Sequence, residues 1–138
     1  MTYRKSAIAL GVAVGLAAGI WGIRTLSAQQ PPAGFKRVEL QRHDLGAPGR
    51  EAVQARGEFN PGATVPRHSH PGEEVAYVLE GEVTIEVDGK PPMVLKAGDV
   101  FFVPAGQVHA AKNASKGQAK VLSTYIVEKG KPLMTAAK

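Results

Sequence analysis

From Val38 onward the chain shows frequent period-two alternation of apolar and polar residues and no convincing apolar repeat of helical period. That pattern confines the body of the protein to extended structure, because only a strand places every second side chain on one face. The clearest case is "EVTIEVDGK", which puts Val83, Ile85 and Val87 on one side and Glu82, Thr84, Glu86 and Asp88 on the other. It reads as a half-buried strand. Its end carries Asp88-Gly89, a pair suited to a tight hairpin turn, and "MVLK" follows as the returning partner. Further apolar runs stand at "EAVQARGEF", "VAYVLE", "DVFFVP", "VHAAKN" and "AKVLSTYIVE", separated by "NPGAT", "EG", "KAGD", "PAGQ" and "ASKG". Strands this short, punctuated by Gly, Pro, Asn and Asp, indicate an antiparallel sandwich or barrel. A first strand is expected near "KRVELQR", and the tail "GKPLMTAAK" is expected to fray.

The 138 residues suffice for one domain. The chain has no cysteine, which excludes disulfides, thiolate metal sites and thiol nucleophiles and leaves only nitrogen and oxygen as metal ligands. The formal charge of +5 is partly an effect of the N-terminus, where Arg4, Lys5 and Arg24 precede all twelve acidic residues. The remainder has fourteen Lys and Arg against twelve Asp and Glu, a net +2. So small and scattered an excess gives no basic stripe for a nucleic acid.

The N-terminus has its own layout. "MTYRKS" is a positive start, Ala7 to Ile23 an uncharged apolar run of seventeen, and "RTLSAQQPPAG" a polar exit with small residues. This is the arrangement of a secretory signal. The alternative is a retained membrane anchor, for which seventeen residues reach the lower edge of the required length. Residues 1–28 are therefore read as an apolar signal peptide or anchor helix, 29–36 as a stiff polar linker, and 37–138 as the folded domain. Either reading makes the domain periplasmic or secreted, with the membrane as a partner only through an uncleaved N-terminal segment. Trp21 belongs to the export segment and has no expected role in the domain.

Two of the four histidines lie in "HSHPGEE", His68 to Glu74. On a strand His68 and His70 project from the same face, and imidazole is a common ligand for borderline divalent metals. "PG" at Pro71 and Gly72 breaks the ladder and lets the chain bend Glu74 back towards the same point. His109 follows "FFVPAGQV", a strand ending in a Pro and Gly turn that can carry it over from a neighbouring strand. Alone, a histidine pair on a strand is more often a surface or hydrogen-bonded core position than a metal site.

The spacing of the surrounding residues adds a family resemblance. "GATVPRHSHPGEEVAYVLEG", Gly62 to Gly81, is similar gap for gap to the first signature motif of the cupin superfamily: Gly, five residues, His-x-His, three residues, Glu, six residues, Gly. "GDVFFVPAGQVHAAKN", Gly98 to Asn113, resembles the second: Gly, five, Pro-x-Gly, two, His, three, Asn. The motifs and the spacer between them cover 52 residues. The resemblance implies an all-β, antiparallel jelly-roll (double-stranded β-helix) barrel of six to eight strands, with His68, His70, Glu74 and His109 as metal ligands in its mouth. It also implies a divalent transition metal (Fe, Mn, Ni, Cu or Zn), a small-molecule ligand or substrate, and a homodimer by analogy. The turn positions Gly62, Gly81, Gly98, Pro104 and Gly106 match, as does Asn113, for which a turn or sheet-edge hydrogen bond is an equal explanation.

Residues outside the ligand set are read more plainly. Glu73 is expected to be solvated, His43 to lie on the surface and Gln107 in an exposed turn, with a hydrogen bond near the metal as its alternative. Tyr77, Phe101, Phe102 and Tyr125 are expected in the core, one or two of them lining the pocket. The reading is an exported metal-binding cupin, a metal-dependent enzyme of oxygenase type on a small oxygenated organic molecule. The alternatives are a non-redox lyase, isomerase or decarboxylase, and a non-catalytic binding cupin.

Overall fold

The structure, a computed structural model, describes residues 32–138. Residues 1–28, read as a signal peptide or anchor helix, lie outside the described residues. Among those described, no helix is long and apolar enough to cross a membrane. Ten strands follow in chain order: β1 (Phe35–Asp44), β2 (Arg50–Phe59), β3 (Thr64–Ser69), β4 (Gly72–Glu80), β5 (Glu82–Val87), β6 (Met93–Lys96), β7 (Val100–Val103), β8 (His109–Lys112), β9 (Ala119–Glu128) and β10 (Thr135–Ala136). They form two five-stranded sheets in the orders β1-β2-β9-β4-β7 and β10-β3-β8-β5-β6, and every pairing is antiparallel. The all-β, strand-only architecture is consistent with a jelly roll.

The period-two alternation of β5 sets its packing. Val83, Ile85 and Val87 are all buried, and β5 pairs with β6 in the register Ile85↔Met93 to Glu82↔Lys96. The turn between them is closed by a hydrogen bond from Lys90 N to Val87 O, with Gly89 at φ 79°. The same period along β9 turns Ala119, Val121, Ser123, Tyr125 and Val127 inward. One core cluster joins the sheets through residues such as Phe59, Val78, Ile85 and Val121, and a smaller one gathers Val53, Ala55, Tyr125 and Val127. Leucine- or valine-sized side chains fully withdrawn from water contribute about 1.5–3 kcal/mol each, so these rows dominate the stability of the shell.

Three expectations need correction. The strand count exceeds six to eight because β3 and β10 add to the runs legible in sequence. The tail does not fray: Thr135 pairs with Ser69 and Ala136 with His68, so β10 closes the edge of the sheet beside the histidines. Tyr77 and Phe102 are not core residues. They are 46% and 55% exposed on the outer face of β4 and β7, beside Val75 and Val100, whereas Phe101 packs against the core and Tyr125 is buried. In "VAYVLE" and "VFFV" both strand faces are apolar, so alternation alone does not tell which one the second sheet covers.

Asn113 is fully buried and acts as a corner joint. Its Nδ2 donates to the carbonyls of Phe59, Asn60 and Gly117, while Oδ1 accepts from the amide and hydroxyl of Ser115. Asn113→Ala leaves several buried carbonyls without a donor and is expected to cost about 3 kcal/mol in urea unfolding. An unchanged midpoint would show that water replaces the amide.

Candidate metal centre

Four buried side chains from three strands and one strand end meet between the sheets. His68 stands near the end of β3 and pairs directly with His109 at the start of β8, so the two imidazoles emerge side by side with ring centroids 4.3 Å apart. His70 comes directly after β3, and the one residue between it and His68, Ser69, returns it to the face of His68. Its ring lies 4.9 Å from that of His68 and 5.1 Å from that of His109. Each imidazole offers a nitrogen within 4.8 Å of the others'. Glu74, on β4, brings Oε2 to 3.2 Å from His70 Nε2 and 3.3 Å from His109 Nε2. All four are 3–6% exposed.

The backbone fixes which nitrogen faces inward. Nδ1 of His68 lies 2.8 Å from Pro66 O, Nδ1 of His70 lies 2.6 Å from Leu133 O, and Nδ1 of His109 lies 3.0 Å from Gln107 O. A carbonyl can only accept, so each Nδ1 carries a proton, and Nε2 is the nitrogen that is left with a lone pair when a ring is neutral. Ser123 Oγ donates to Glu74 Oε1 at 2.7 Å, leaving Oε2 towards the histidines. His70 Nε2 is buried without a hydrogen-bond partner. Imidazole lone pairs turned towards a carboxylate are acceptors facing acceptors, an arrangement that a cation between them reconciles. The donor set fits a divalent transition ion held by nitrogen and oxygen.

The electrostatics carry the same imprint. Burial, followed by the proximity of His109, lowers His68 to about 4, so it is neutral at ordinary pH. Burial alone would raise Glu74, yet the imidazoles of His109 and His70 outweigh it and hold the carboxyl below the usual carboxylate range. Burial would lower His109, but in the metal-free protein the protonated ring donates Nε2–H to Glu74 and Nδ1–H to the Gln107 carbonyl, which raises it above 6.5. Burial and the Glu74 charge push Tyr125 above its ordinary value of 10, keeping the phenol protonated.

His68, His70, Glu74, Ser123 and Tyr125 line a cavity of about 50 Å³, with Phe35, Phe59, Ile85 and Phe101 among its apolar walls. Since roughly 10–15 Å³ measured this way holds one water, an ion and a few ligand atoms fit. Glu73 points away and pairs with Arg50 at 2.6 Å, and His43 is exposed. The Gln107 side chain turns to the carbonyls of Asp88 and Val108, so only its backbone oxygen serves the site. Ser123 and the Leu133 carbonyl were missed in the sequence. Ser123 had a signal, as the one hydroxyl in the inward row of β9 ahead of Tyr125; a backbone carbonyl has none.

The family model for the cupin domain matches residues 55–125, just over half of the chain. Germin-like protein subfamily 2 member 2 of Arabidopsis thaliana is 41% identical over 76 residues, 51% of this chain and 35% of that protein. An oxalate-binding protein of Thermotoga maritima is 36% identical over 74 residues, 53% of this chain and 60% of that protein. Among solved structures, recombinant oxalate oxidase in complex with glycolate aligns with a TM-score of 0.62 and 26% identity, over 77% of this chain and 56% of that one. The chain thus spans less than two thirds of the length of each of these relatives.

Proposed function

The chain belongs to the cupin domain family, and from that premise we propose that His68, His70, Glu74 and His109 hold a divalent transition metal in a metal-dependent enzyme of oxygenase type. Its substrate is a small oxygenated organic molecule. The observation that carries the reading is the set of three buried imidazoles, each tied through Nδ1 to a backbone carbonyl, with His70 and His109 turning Nε2 towards Glu74. Relatives described as an oxalate-binding protein and as oxalate oxidase support a small oxygen-rich ligand.

A bound ion of iron, manganese, nickel, copper or zinc would supply Lewis acidity, with redox chemistry towards dioxygen from the redox-active ones. The chain's own residues do the rest. The three carbonyl contacts set ring orientation and tautomer, and Ser123 holds one oxygen of Glu74 so that the other stays in place. The apolar walls restrict water, which strengthens every charge interaction inside. Tyr125, protonated and packed 4.7 Å from the His70 ring, keeps an O–H in the cavity as a hydrogen-bond donor.

We further propose, on the charged start, apolar run and small-residue exit of residues 1–28, that the domain works outside the cytoplasmic membrane. Metal analysis of protein purified from the outer compartment tests both statements, followed by oxygen uptake across phenolic and small-acid substrates. Near-stoichiometric metal with substrate-dependent uptake is expected. Recovery from the cytoplasmic fraction alone would end the export reading, and a metal-loaded protein with zero uptake would transfer the site to a non-redox lyase or a binding protein.

A further inference from the structure

We infer that Arg37 makes this cavity a site for small organic carboxylates, the guanidinium gripping the carboxylate while another oxygen of the same molecule faces the histidine centre. The second half rests on the metal reading above; the first stands on Arg37 alone.

The structure holds five described arginines, and four are committed to carboxylates. Arg42 pairs with Glu39 and Glu51, Arg50 with Glu73, Arg56 with Glu58 and Arg67 with Asp88. Arg37 has no ion-pair partner among the described residues, and it is the one lysine or arginine that lines the cavity. Its position follows from register. On β1 it lies directly opposite Gly57 of β2, while Phe35 lies opposite Phe59, so Arg37 shares the face of those residues and, being itself exposed, stands at the solvent side of the cavity. Gly57 is itself a wall of the cavity, and a Cβ there would lie 3.2 Å from both the Phe35 and Phe59 rings. Glu39, two residues along β1, feels the Arg37 charge but forms its ion pair with Arg42 at 2.9 Å.

Charge counting then selects the ligand. The lining carries one carboxylate, Glu74, and one guanidinium, Arg37. With a divalent ion beside neutral imidazoles, the charges lining the cavity sum to about +2, which an organic anion offsets and a neutral molecule does not. A planar carboxylate matches the donor fork of arginine in a way that a hydroxyl or carbonyl does not. The cavity of about 50 Å³ restricts the body of the ligand to a few heavy atoms.

The test uses glycolate and its neutral isostere glycolamide, titrated calorimetrically into the full chain in metal-loaded and chelated forms, with metal content measured on each sample. Loaded wild-type protein is expected to bind glycolate about 10- to 100-fold more tightly than glycolamide. Arg37→Gln is expected to lose that preference while keeping its metal, and Arg37→Lys to recover only part of it. Equal binding of the two probes to wild type, unchanged glycolate affinity in Arg37→Gln, or no glycolate binding at all would overturn the assignment. Failure of the metal reading is separately visible: a protein that takes up no ion yet binds glycolate through Arg37 keeps the carboxylate site and loses the centre.

Discussion

Protein carrying His68→Ala together with His109→Ala is expected to retain less than about a tenth of the parent's metal after dialysis, because the loss of even an outer-shell partner typically costs 10- to 100-fold in affinity and here two ligands go. The two rings stand opposite each other in the β3–β8 ladder, so their removal empties one side of the centre. Equal metal in parent and variant would remove these residues from the site; circular dichroism on the same samples shows whether the shell is intact. A pH series adds an independent reading. The ion competes with the proton that His109 holds above 6.5, whereas His68 stays neutral down to about 4. Metal is therefore expected to leave as pH falls through the raised His109 value. In the metal-free protein the signs are opposite for the two rings. The raised His109 contributes stability that is complete below its unfolded value of 6.5 and lost as pH rises through the folded one. The depressed His68 removes stability as pH falls from 6.5 towards about 4. The melting temperature of the chelated protein is expected to peak near 6.5, and a monotonic profile would contradict the arrangement of the pair.

Gly72→Ala is expected to destabilise the domain by about 3 kcal/mol or more, lowering the melting temperature by more than about 12 °C. A Cβ at Gly72 would stand 2.0 Å from Ile126 O and 2.6 Å from Val127 Cα, and both neighbours are backbone of a central strand that has nowhere to move. The residue lies between His70 and Glu74 and pairs with Val127 at the first step of β4. The displaced backbone would carry a ligand with it, so metal affinity is expected to fall alongside stability. Gly89→Ala is the control: its positive φ of 79° makes alanine strained, but a Cβ there meets nothing within 4 Å, and about 1 kcal/mol is expected. Equal effects at the two glycines would show that close approach is not what Gly72 provides. Pro71-Gly72 had read as a break in the ladder, whereas Gly72 is a strand residue whose missing side chain lets β4 and β9 come together.

What could be read from the chain were the features that depend on near neighbours. Alternation in "EVTIEV" determined which face of β5 is buried, because the period of a strand is a property of its own backbone. The motif spacing singled out His68, His70, Glu74 and His109, and all four are buried and adjacent. Tertiary structure decided everything that depends on which surface covers which. Tyr77 and Phe102 lie outside because the second sheet packs on the other side of β4 and β7. Leu133 reaches His70 only because the last strand returns to β3, 63 residues on in sequence. Arg37 faces the cavity only through its register with Gly57. Pairings between distant segments leave no periodic trace in either partner, so the ligand positions were legible in one dimension, while the carbonyls, hydroxyl and guanidinium that surround them came into view only when the sheets closed.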